Sequence, residues 1–83
     1  MILSAEKETI LKYLGKHPSR KIIPHLKHKK VFNAKGNSFS PKSIQDIING
    51  VTENINVETE IIHLVATEKE KIQNLENLKK QVL

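Results

Sequence analysis

Apolar residues gather along the chain in four clusters, each repeating at the three-and-four spacing of a helix rather than alternating as in a strand. In the first, Ile10, Leu11 and Leu14 make the stripe of a helix predicted over Ser4 to Leu14. Ser4 is placed to cap it, Glu6 and Glu8 suit its positive end, and Gly15 stops it. Ile2 or Leu3 is expected to fold back under this helix. Lys16-His17-Pro18 is the connection to a second helix, predicted over roughly 20–30, with Ile22, Ile23 and Leu26 as its face. Pro24 lies inside that pattern. It removes a backbone donor and crowds the preceding turn, so the first turn of this helix is expected to be irregular.

The third cluster has both of its ends written into the sequence. Ser40 is a preferred N-cap, Pro41 fits the first helical position, and Gly50 suits the left-handed residue just past the last turn. Phe39 and Ile44 have the spacing of a hydrophobic staple. Ile44, Ile47, Ile48 and the following Val51 share one side of the predicted helix 41–49, while Lys42, Gln45, Asp46 and Asn49 share the other. A short helix anchored on one face, with mixed donors and acceptors on its free face, has the attributes of a base-reading helix.

Between the second and third helices, Asn33-Ala34-Lys35-Gly36 has the composition of a type I turn followed by a glycine with positive φ. A minimal β-hairpin over 31–39 is possible around it, with Phe32 and Phe39 pinning the loop to the core. Thr52 to Asn56 is a polar bridge in which Asn54 or Asn56 caps the last helix. Val57, Ile61, Leu64 and Val65 form that helix's first stripe. Charged residues interrupt it after Ala66, and Ile72, Leu75, Leu78 and Val82 resume it. The expectation is an all-α, compact four-helix, helix-turn-helix-like domain over 1–66, with the C-terminal helix extending from the body over 67–83.

Composition narrows the function. With no cysteine, a disulfide scaffold and a thiolate metal site are both excluded. No apolar run approaches membrane-spanning length, and no secretory leader pattern precedes the first helix. The expectation is a cytoplasmic protein with no membrane partner. The net charge of +5 matters less than its distribution. Residues 1–15 balance two Lys against two Glu, and residues 43–83 hold four Lys against seven acids. From Lys16 to Lys42 there are eight basic residues, three His and no acid. An acid-free basic third directly preceding the capped helix is the electrostatic footprint expected beside phosphates. Its plainer reading is a solvated basic surface.

The run of Ile22, Leu26, Val31, Asn33-Ala34-Lys35-Gly36, Phe39-Ser40, Ile44 and Ile47-Ile48-Asn49-Gly50 resembles the helix–loop–helix segment of large serine recombinases. It is also similar to small phage and prophage repressor-type helix-turn-helix proteins, in which Asn-Gly ends the recognition helix. The resemblance covers residues 22–50. It implies DNA binding by a mobile-element or regulatory protein, and not recombination, because no catalytic domain accompanies it.

The candidate residues follow. Lys42, Gln45, Asp46 and Asn49 are placed to read bases, and Arg20, Lys21, Lys27, Lys29, Lys30, Lys35 and Ser40 to hold phosphates. Ile72, Leu75, Leu78 and Val82 offer a contact to a second copy or to another protein. His25 and His28 have the spacing to share a helix face, but they stand amid cations and without a nearby carboxylate, so they read as surface groups near phosphate rather than metal ligands. Ser40 and Ser43 lack a partnered base, and no catalytic residue, cofactor or metal is assigned. The reading is a non-enzymatic, sequence-specific binder of double-stranded DNA, with homodimerisation through the last helix as a further expectation. The alternative is a small phage-type inhibitor or adaptor that docks its basic surface on a larger nucleic-acid-handling protein, such as a defence nuclease.

Overall fold

In the computed structural model, which describes all residues 1–83, the chain forms four helices and no strand. They are α1 (Ser4–Leu14), α2 (Ser19–His28), α3 (Pro41–Ile48) and α4 (Ile55–Val82). Each contributes its apolar stripe to one core of ten aliphatic side chains. Ile2 precedes α1, which supplies Ile10 and Leu14; α2 supplies Ile22 and Leu26, α3 Ile44, Ile47 and Ile48, and α4 Val57 and Ile61, and with Ile2 these make the ten. Full burial of such a side chain stabilises by about 1.5–3 kcal/mol, so a core with no aromatic at its centre rests on the fit of branched aliphatics.

The helices are not packed equally. α1 and α2 both lie on α4, and α3 lies on α2. α1 runs parallel to α4: Ile2, Glu6 and Ile10 border a groove with Ile62 and Val65, while Lys12 and Tyr13 lie further along beside Lys69 and Ile72. α4 then leaves the body. Every residue from Lys69 to Leu83 is exposed, and the molecule measures 51 × 27 × 19 Å.

α3 forms as its sequence predicts, except that it ends at Ile48 and that Val51, expected on its inner side, is 75% exposed because the chain turns away at Gly50. Ser40 Oγ accepts from the Ser43 N–H at 3.2 Å, Pro41 takes the first helical position, and Phe39 packs against the core. α4 is capped by Asn54, whose Oδ1 accepts from the Val57 N–H while Glu58 Oε2 accepts from the Asn54 N–H.

Elsewhere local chemistry corrects the expectations. Ser4 is the first helical residue of α1, not its cap; Glu6 Oε1 reaches back to accept from the Leu3 N–H at 2.8 Å. The hairpin at 31–39 does not form. Asn33 closes the segment instead, its Oδ1 accepting from the Lys35 and Asn37 N–H groups and its own N–H donating to the Asn37 carbonyl. Gly36 does take positive φ, +79°, in the expected turn. Only one of the two phenylalanines pins the loop, because Phe32 is 46% exposed.

Pro24 does not disturb the start of α2, which runs unbroken from Ser19. Arg20 and Lys21 donate three residues back, to His17 and Pro18, as is common in a first turn, and Ile22 already donates four back. The helix ends at His28 rather than near residue 30, and the reason is Lys30, the only non-glycine with positive φ (58°). Lys30 donates to the Lys27 carbonyl and Val31 to the Leu26 carbonyl, the pair of bonds that closes a Schellman motif. The same motif ends α3, where Gly50 donates to Ile47 and Val51 to Asp46. At Gly50 glycine is required twice: φ is +77°, and an added Cβ would meet the Ile2 carbonyl oxygen at 2.8 Å.

The two caps therefore predict opposite responses in denaturant melts. Lys30→Gly should stabilise by about 0.5–1 kcal/mol, since the left-handed conformation costs a side-chain-bearing residue about 1–2 kcal/mol and glycine's extra backbone entropy offsets part of that gain. Gly50→Ala should destabilise by about 2 kcal/mol or more. Ile47→Ala, which opens a cavity between α3 and its neighbours, should cost about 2–5 kcal/mol. A neutral Ile47→Ala would mean that α3 is rotated about its axis from the orientation described here.

Candidate nucleic-acid interface

Because Ile44, Ile47 and Ile48 are all buried, the opposite face of α3 is held towards solvent. Lys42 and Asn49 are exposed there, and Gln45 and Asp46 are half-buried. Gln45 Nε2 donates to Asn49 Oδ1 at 3.2 Å, so the two amides partly satisfy each other. The Asp46 carboxylate has no partner, while its backbone carbonyl accepts from the Val51 and Thr52 N–H groups and so fixes how the chain leaves α3. Ser40 is engaged as a cap, accepting from the Ser43 N–H and donating to Ser43 Oγ at 3.0 Å. A phosphate would have to compete with both bonds.

The cations assigned to phosphates do not share one surface. At about 100° per residue, Arg20 and Lys27 fall on one flank of α2, and Lys21 falls on the other with His28. The first flank borders α3, in a shallow groove lined by Ser19, Arg20, Ile23, Pro24 and Pro41. Arg20 is thus brought to the start of the candidate reading helix, and Lys21 is not. Lys29 and Lys30 lie at the exit of α2 and Lys35 at the tip of the turn, all exposed. None of the eight basic side chains between Lys16 and Lys42 lies within ion-pairing distance of a carboxylate.

One polar contact escaped the sequence reading. His25 is not a free surface group: its Nε2 lies 2.7 Å from Glu60 Oε2, both side chains are mostly buried, and the pair ties α2 to α4. His63 Nδ1 is 3.9 Å from the same oxygen. No sequence signal joins residues so far apart, and only the packing of α2 on α4 does so. His28 and His17 are exposed, and no three His or acidic side chains are arranged to hold a metal ion. No helix is long and apolar enough to cross a membrane.

Searches against known protein families, characterised proteins and solved structures found no match to this chain.

The hydrogen bond from His25 holds the Glu60 carboxyl below its ordinary range, with the charges of His25, His63 and Lys29 acting in the same direction against partial desolvation. A carboxylate whose folded pKa is depressed stabilises the fold fully above its unfolded value, and that contribution disappears as pH falls through the lowered folded value. Wild type should therefore lose stability more steeply than Glu60→Gln below about pH 4.5, and the two curves should converge in acid. Thermal melts across that range test this, and parallel curves would remove Glu60 as a source of acid sensitivity.

Proposed function

We propose that this chain is a non-enzymatic, sequence-specific binder of double-stranded DNA, a small cytoplasmic transcriptional regulator of the phage or mobile-element kind. One observation carries the reading. α3 is split into a fully buried aliphatic face and a free face bearing Lys42, Gln45, Asp46 and Asn49, and it follows a basic segment none of whose Lys or Arg side chains is ion-paired. In a major groove, Gln45 and Asn49 suit adenine edges, Lys42 a guanine, and Asp46 the amino group of cytosine. The bond between Gln45 and Asn49 would then be exchanged for contacts to bases. Arg20 and Lys27, on the α3 side of α2, would meet the backbone together with Lys29, Lys30 and Lys35. Such contacts position without reading sequence. Lys21 adds to the long-range field only.

A second reading has its own observation. The exposed apolar residues on the tail of α4 suit a protein that inhibits or adapts a larger nucleic-acid-handling partner, such as a defence nuclease. Its basic surface would then dock on an acidic patch.

Salt dependence separates positioning from reading. With about four phosphates neutralised, log K should fall against log[salt] with a slope of about −4. Lys29→Ala combined with Lys30→Gly should weaken binding to every duplex alike and make the slope shallower by up to about two units, while the protein itself becomes no less stable. Gln45→Ala or Asn49→Ala should leave the slope nearly unchanged and cost about 1–3 kcal/mol on the selected site alone. Equal effects of all these substitutions on selected and random duplex would exclude α3 as a reader of bases. Absence of binding to any duplex at low salt would favour the protein-docking reading.

A further inference from the structure

The stripe that carries α4 into the core does not stop where the core stops. At about 100° per residue, Val57, Ile61 and Leu64 lie on one line with Glu68, Ile72, Leu75, Leu78 and Val82, all within an arc of about 120°. Val57 and Ile61 are fully buried, whereas Ile72 is 45%, Leu75 53%, Leu78 56% and Val82 72% exposed. α1 covers only one flank of this line, where Lys12 and Tyr13 lie along Lys69, Ile72 and Glu76. The other flank is bare.

The charges within the arc determine what can cover it. Glu68 lies near one end and Lys79 near the other, with Lys71 between them; Glu68 and Lys71 are paired within the helix at 3.8 Å. A parallel copy would set Glu68 against Glu68, Lys71 against Lys71 and Lys79 against Lys79, and like charges facing across a seam disfavour it. An antiparallel copy instead sets Glu68 against Lys79. We propose that the tail of α4 is a self-docking surface whose occupant is the tail of a second copy, antiparallel, centred between Gln73 and Asn74.

In that register Ile72 meets the partner's Leu75 at both central layers. Glu68 meets the partner's Lys79 at both ends of the seam. This is the alternation of layers that interdigitating helices require. The arrangement is two-fold and closed, so it ends at a dimer. Its geometry has a further meaning that rests on the DNA-binding reading above. Taking Ile61 as the body's centre on α4, the two bodies would stand about 38 Å apart along the tails, close to one turn of duplex.

Sedimentation equilibrium on the full chain, without DNA, tests the pairing separately from DNA binding. A reversible monomer–dimer equilibrium in the micromolar range is expected, and L75E combined with L78E should abolish it while far-UV circular dichroism reports an unchanged helix content. E68K and K79E should each weaken the dimer at least about tenfold, since each places two cations or two carboxylates together. Mixed in equal amounts, the two variants should form a heterodimer. A wild-type chain that stays monomeric up to its solubility limit would overturn the proposal, including the case where only a foreign protein covers the tail. A dimer indifferent to both charge reversals would overturn the antiparallel register.

Discussion

Val57 and Ile61, both fully buried, are the contribution of α4 to the core, and they set the order in which the rest of the molecule is held. α1 and α2 pack on α4, whereas α3 packs chiefly on α2. The direction in which α3 presents Lys42, Gln45, Asp46 and Asn49 is therefore inherited through α2. That makes the bond between His25 and Glu60 more than a local contact. It ties down the intermediate helix, on the side away from α3, at the level where α4 enters the core.

What could be read in advance was what local chemistry decides. α3 was legible almost whole, because Ser40, Pro41 and Gly50 fix its ends and three isoleucines fix its inner face. Its free face was legible for the same reason. The end of α2 was not, because it depends on Lys30 taking a backbone conformation that sequence patterns reserve for glycine. The cap of α1 was misplaced by one residue, since the Lys7 N–H donates to the Leu3 carbonyl and Glu6 holds the Leu3 N–H, so that the helix already includes Ser4. Among the candidate phosphate contacts, charge could be counted but not located. Whether Arg20 or Lys21 adjoins α3 depends on which flank of α2 faces it, and that is settled by packing between helices.

The two Schellman caps show how differently one motif can be constrained. Around Gly50 the backbone of Ile2 approaches so closely that no side chain fits, which couples the exit of α3 to the segment ahead of α1. Around Lys30 nothing demands a side chain, yet a cationic one is carried in a strained conformation directly after Lys27 and Lys29. Strain kept at a position where glycine would relieve it agrees with a role for the charge itself.

The cap at Gly50 also bears on how the protein ages. An asparagine followed by glycine is prone to cyclise: the next backbone nitrogen attacks the side-chain carbonyl carbon, ammonia leaves, and water then opens the ring to an acidic residue. In Asn49-Gly50 that nitrogen is committed to the Ile47 carbonyl at 3.1 Å, and the Asn49 side-chain oxygen is held by Gln45. Folding thus keeps the attacking nitrogen occupied and holds the Asn49 side chain in one position. The chemical lifetime of Asn49, and of the neutral character of this end of α3, is set by how seldom the last turn opens.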